Sequence, residues 1–277
     1  MNHGRPRNIQ ETSLLPTMLE HELITEVLLL HSNPPTAFHY EHPKVRNINA
    51  TLENAKMGLS LRFWFCGTEA TNEWVILVDD DMLIPRETFD SITNEFAQNT
   101  HRIVGIFGRT WSYWMHQGII GNGYNTRRIK GEAEVVLTKL MIMERDICPY
   151  FHRYSHLMDD IVADSVPFWN GEDIFMSLVA NHVYANNQKY PIETQLMAKM
   201  GKNNYAMPWL SFKDVDKVMP ELHEAYGKGG ISGNARTIQF WSPQWWKKDS
   251  GILHLRYRGT LWKEARKRLA NQPLLEV

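Results

Sequence analysis

Two short acidic stretches carry the chemistry legible in this 277-residue chain, Asp79-Asp80-Asp81 and Glu172-Asp173. The first closes the apolar run Glu73-Trp74-Val75-Ile76-Leu77-Val78. Three adjacent carboxylates repel one another and are costly to hold together unless a cation neutralises them. Oxygen-only ligands select a hard ion, Mg²⁺ or Mn²⁺, and such ions commonly bridge to phosphate oxygens. Asp after a strand also makes turns and caps helices, and Pro85-Arg86-Glu87-Thr88-Phe89 reads as a helix start, so the motif by itself leaves both uses open. Glu172-Asp173 opens an apolar helical pattern. Carboxylates there complement the helix dipole or cap the first turn, and a carboxylate so placed can also serve as a general acid or base.

The elements around these residues must place them. An uninterrupted row of Trp, Val, Ile and Leu predicts a strand buried on both faces, of the kind found in the middle of a parallel sheet. Ligands bind beyond the carboxyl ends of such strands, where Asp79, Asp80 and Asp81 would project. Ile24 to Leu30 reads as a second buried strand, followed by loop chemistry at His31-Ser32-Asn33-Pro34-Pro35 and a short polar stretch, Val45 to Asn49. Helical spacing of apolar residues predicts helices over Arg7 to Glu22, about Thr51 to Cys66, Arg86 to Gln98, Ile174 to Tyr184 and Trp262 to Leu269. Ile103 to Arg109 and Glu134 to Met143 read as strands, and Ile147 to Val162 as helical or irregular. Thr110 to Gly131 reads as a polar and aromatic loop draped over the crevice mouth.

Composition narrows the function class. Hydrophobic residues make up 43% of the chain, enough for a large core, and the formal charge of −1 provides no global field toward nucleic acid or an anionic membrane. No run spans a bilayer and the N-terminus has no apolar signal core, which predicts a cytoplasmic protein as the chain is written, or a fragment of a longer, membrane-associated one. The sequon Asn49-Ala50-Thr51 would matter only in a secreted protein. Cys66 and Cys148 allow one bridge, but read as buried thiols in a reducing compartment. The 12 histidines show no tight metal pattern, so His39 and His42 read as loop residues.

The succession "VILVDDDMLIP", "IVGIFGR", "EVVLTKLMIMERDI" and "NGEDIFMSLVA" resembles the catalytic domain of the exostosin-like glycosyltransferases over roughly Ile24 to Asn186. The resemblance implies a GT-A fold, α/β and Rossmann-like, in which a UDP-sugar binds through a divalent metal, Mn²⁺ or Mg²⁺. It implies that Asp81 is the direct metal ligand, assisted by Asp79, and that Asp79 and Asp80 touch ribose, sugar or metal-bound water. The family's second acidic pair falls on Glu172 and Asp173, both candidate catalytic residues, with Asp173 in the position that assists catalysis near the reacting sugar carbon. Glycosyl transfer needs a carboxylate there, to handle an acceptor hydroxyl or steady oxocarbenium charge. Retention of anomeric configuration, an N-acetylhexosamine donor and a glycan acceptor are further implications.

Within that frame Arg46, Asn47, Asn49 and Arg62 are candidates to grip uracil and diphosphate, or else solvated polar residues on a connecting segment. Lys228, Arg236 and the glycines around Ser232 resemble a loop closing over the diphosphate, with Arg236 as a catalytic cation, or a plain flexible loop. Trp241, Trp245 and Trp246 offer a sugar-stacking platform or core packing. The reading is a single domain over 1–277, with its nucleotide-binding part at about 1–110 and its acceptor part at about 111–277. One rival is an inverting transferase with Asp173 as general base, and the other is a carbohydrate-binding scaffold with a decayed crevice. The family's first strand is not encoded. The expectation is therefore a chain read in truncated form, with a gap or exposed edge beside Trp74–Val78.

Overall fold

In the computed structural model, residues 1–189 and 261–275 are described, apart from 3, 12–13, 83, 99, 110, 117–118, 125–132, 134 and 161–170. The chain is mixed α/β. Strand β1 (Val27–His31) pairs in parallel with β2 (Val45–Asn49), in a register that sets Val27 against Val45 and His31 against Asn49. Strand β3 (Trp74–Val78) belongs to a separate sheet, ordered with β9 (Leu140–Glu144) in the middle and β4 (Val104–Gly105) beyond it. Both neighbours of β9 run antiparallel to it. The mostly parallel sheet expected from the sequence is thus corrected: among the described residues, ladder pairing in parallel is confined to β1 and β2, and β9 intervenes against the run of the others.

Strand alternation divides the interior. On β9, Leu140 and Ile142 join one apolar cluster while Met141 and Met143 join another, and on β3 Ile76 and Val78 pack against the first while Val75 and Leu77 pack against the second. This period of two puts helices on both faces of the sheet. The first layer holds α1 (Pro6–Gln10), α2 (Leu14–Glu20) and α5 (Arg86–Gln98), which contribute Ile9, Leu15, Phe89 and Phe96. The second holds α4 (Leu61–Thr68), α6 (Cys148–Ser155) and α7 (Glu172–Asn186), joined by a helix over residues 261–269 that buries Leu261 and Trp262. There Phe151 stacks on Phe63 at 4.8 Å between ring centroids and meets Phe175 edge-on at 5.2 Å.

The close packing of α4 on α6 also brings Cys66 to Cys148, and the two form a disulfide with a Cα–Cα distance of 5.9 Å. Both are buried, as expected, but the reading of two reduced thiols is corrected. Other expectations change in detail. The helix over Arg7 to Glu22 is two short helices, and that over Thr51 to Cys66 breaks into α3 (Thr51–Met57) and α4 at Gly58. The strand over Ile103 to Arg109 divides into β4 and β5 (Gly108–Arg109), and β8 (Val135–Val136) separates from β9. The loop expected over Thr110 to Gly131 contains an antiparallel hairpin, β6 (Trp111–His116) with β7 (Ile119–Tyr124).

Strand β3 is not the doubly flanked centre of a sheet. Its residues are partly exposed, and its edge away from β9 faces the open edge of β1 across a cavity of about 200 Å³ lined by Val27–Leu30, Val75–Val78 and Phe65. Among the described residues, Met1 and Asn2 stand at the carboxyl end of that strand position. Asn2 forms a parallel bridge to His31, its N–H donating to Leu30 O at 2.8 Å, and the Met1 ammonium donates to Val78 O at 3.1 Å.

Candidate active site

Where β3 ends, the chain turns inward, and Asp80 and Asp81 are only 3% and 1% exposed. Two buried carboxylates beside a half-buried third, Asp79, demand counter-charge, and three basic side chains from distant parts of the sequence provide it. Gly4, at φ +89°, turns the chain away from the strand position of Asn2, a bend few other residues adopt. Arg5 is thereby delivered to the cluster: its Nη1 donates to Asp81 Oδ2 at 2.8 Å and its Nη2 to Asp80 Oδ1. Lys139 Nζ lies 3.7 Å from Asp81 Oδ2, on the connection just before β9 that the Asp79 N–H also bonds. Arg62, buried on α4, donates to Asp79 Oδ1 at 2.9 Å. Burial alone would raise the Asp79 carboxyl, but Arg62, Lys139 and the Met1 ammonium together hold it down, at about 2.

Arg62 is also the link to the second acidic motif. It donates to Thr138 O at 3.4 Å, while Thr138 Oγ1 donates to Glu172 Oε1 at 3.1 Å. Desolvation works against the charged Arg62, yet Asp79, Glu172 and Asp173 raise its pKa, so all three carboxylates act on one guanidinium. The other oxygen of Glu172 accepts from the Gly171 N–H at 3.1 Å, which leaves this carboxylate fixed at both ends. Asp173 is 5% exposed in the first turn of α7, and its Oδ1 accepts from the Ile174 N–H at 2.8 Å.

Gly171 sets the entry of α7. Its φ is +106°, and a Cβ there would stand 2.4 Å from Leu261 Cδ2. Gly171→Ala is expected to lose about 1–3 kcal/mol of stability through backbone strain, with further loss from displacing Leu261. A thermal melt within a degree of wild type would show that this entry is not constrained as described.

The remaining sequence candidates divide. Asn47 accepts from the Tyr40 N–H at 3.0 Å, lies 3.4 Å from His31 Nε2, and so braces the end of β1 rather than standing free. Burial lowers the pKa of His31, whose Nδ1 meets Asn2 Nδ2 at 3.0 Å. Asn49, exposed at the end of β2, accepts from the Thr51 hydroxyl at 2.7 Å. Arg46 forms a surface cluster with Glu26 at 2.8 Å and Glu69 at 2.6 Å, not with the aspartates. Arg236, Lys228, Ser232, Trp241, Trp245 and Trp246 lie outside the described residues.

Arg5, Lys139 and Thr138 were missed by sequence reasoning. A lysine inside the apolar row Val135-Val136-Leu137-Thr138-Lys139-Leu140-Met141 was a usable signal, since a charge in a buried strand implies a partner. Arg5, in a glycine and proline loop, carried none.

The cluster suits a hard cation in one specific way. No group of three or more His, Cys, Asp or Glu side chains converges into a cage among the described residues. Asp81 Oδ1, however, is a buried acceptor with no hydrogen-bond partner among them. A site with one or two carboxylates fits an ion that takes its other ligands from diphosphate and water.

Residues 4–231 match the family model described as the glycosyl transferase family 64 domain. No curated protein matches the chain.

Proposed function

We propose that this chain, which belongs to glycosyl transferase family 64 and is a glycosyltransferase, transfers an N-acetylhexosamine from a UDP-sugar to a glycan acceptor through a GT-A-type donor site at Asp79–Asp81. Membership implies a nucleotide-sugar donor and a glycan acceptor. The observation that carries the finer reading is the bonded path Asp79–Arg62–Thr138–Glu172, which ties both acidic motifs into one constellation. A donor diphosphate at the first motif would set its sugar toward the second.

Each residue then has a task. Asp81, through its unpartnered Oδ1, and Asp80 would hold Mn²⁺ or Mg²⁺, which when bound neutralises charge on the departing diphosphate. Arg5 and Lys139 add positive charge where that diphosphate would lie. Arg62 keeps Asp79 ionised, leaving it an acceptor for ribose or sugar hydroxyls. Glu172, fixed at both oxygens, is a framework residue. Asp173 is left as the carboxylate to steady oxocarbenium charge or orient an acceptor hydroxyl. Retention is part of the proposal on the strength of the exostosin-like motifs, and Arg236 remains a proposed cation toward the leaving group.

No helix among the described residues is long and apolar enough to cross a membrane. The Cys66–Cys148 bridge supports work in an oxidising compartment, in place of the cytoplasm expected from the sequence.

The test is incubation with UDP-N-acetylglucosamine and UDP-N-acetylgalactosamine, with Mn²⁺ or with EDTA, followed by NMR. Slow release of UDP and free sugar in the Mn²⁺ arm alone is expected, and the first-formed anomer reports retention or inversion. Absence of both binding and release with every UDP-sugar would contradict the donor assignment.

A further inference from the structure

The three carboxylates at the end of β3 already have three cationic partners inside the protein, and one side chain, Arg5, bridges the two most buried of them. Arg5 spans Asp80 and Asp81 with separate nitrogens, and its own side chain is only 14% exposed. A guanidinium bridging two carboxylates blocks, by charge and by space, the position a divalent ion would take between them. A nucleoside diphosphate has the opposite effect, because its oxygens are acceptors in the geometry that a guanidinium fork matches.

We propose that Arg5 is an exchangeable counter-ion. It holds Asp80 and Asp81 in the free protein and transfers its hydrogen bonds to the diphosphate when donor and metal enter together. The inference rests on the metal-dependent donor site proposed above. Its attachment favours the movement. Arg5 precedes the five-residue helix α1 and follows Gly4 in a left-handed conformation, which places a glycine hinge directly beside the side chain that would turn. Lys139 stands 3.7 Å from Asp81 and keeps one positive charge nearby when Arg5 leaves. Asp81 Oδ1, buried and without a hydrogen-bond partner among the described residues, offers the ion its first oxygen. Metal and nucleotide thereby become coupled: each removes what opposes the other. Linkage requires that Mn²⁺ raise UDP affinity by the same factor as UDP raises Mn²⁺ affinity.

The experiment is calorimetric titration of Mn²⁺ into wild type, Arg5→Gln and Arg5→Lys, each with and without UDP. Arg5→Gln is expected to bind Mn²⁺ alone at least about tenfold more tightly than wild type, and to show a smaller enhancement by UDP. Arg5→Lys, which keeps the charge but cannot bridge two carboxylates, is expected to fall between them, and it decides the matter if Arg5→Gln does not fold. If wild type binds Mn²⁺ in the presence of UDP but neither variant binds the ion alone more tightly, the counter-ion role is overturned while the metal site stands. If no protein binds Mn²⁺ even with UDP, both fall.

Discussion

Asp173→Asn is expected to retain donor binding and to lose at least about a hundredfold in turnover, the low end for removal of a positioned acid–base group. The substitution is conservative where structure is concerned. The Asp173 oxygen that accepts from the Ile174 N–H has an amide counterpart in Asn, and Asp173 O still accepts from Ser177 Oγ at 2.8 Å. What disappears is negative charge in the first turn of α7. The helix dipole stabilises that charge, so a purely structural role predicts a loss of about 0.3–1 kcal/mol in stability and no change in kcat. Turnover near wild type with a lowered melting temperature would return Glu172-Asp173 to helix capping.

Asp81→Asn is expected to produce the complementary result, with Mn²⁺-dependent UDP affinity reduced by about tenfold or more and the fold preserved. The reason for a preserved fold differs from the one the sequence suggests. Isolated aspartates would repel, and removal of one would relieve that repulsion. In the folded chain Arg5, Arg62 and Lys139 already pair with the cluster, so Asn removes the carboxylate charge that Arg5 and Lys139 face at Asp81. Arg5 keeps Asp80 as a partner, which limits the cost to a lower melting temperature rather than unfolding. Unchanged Mn²⁺-dependent UDP affinity would remove Asp81 from the metal site.

The acidic strand end and the helix that follows it were legible because their signals are local. Trp74 to Val78 is a run of β-branched and large apolar residues stopped by charge, and Arg86–Gln98 is bounded in the structure as its periodicity implies. Joining Asp79 to Glu172 was legible only through the resemblance. The physical link, Arg62 and Thr138, depends on packing between α4, the turn before β9 and α7, which no spacing in the sequence encodes. Sheet direction was misread for a related reason. An apolar run shows that a strand is buried but not which way its neighbour travels, and β9 enters antiparallel between β3 and β4. Arg46 illustrates the opposite case: an arginine just upstream of the acidic strand is equally served by Glu26 and Glu69 at the surface.

Calorimetric titration of UDP into the wild-type protein, once with Mn²⁺ and once with EDTA, bears most directly on the claim that Asp79–Asp81 form a metal-dependent donor site. Saturable binding is predicted with Mn²⁺, together with its loss in EDTA and its restoration when the metal is returned. UDP affinity that is the same in EDTA as in Mn²⁺, or heat of binding in neither, would contradict that claim.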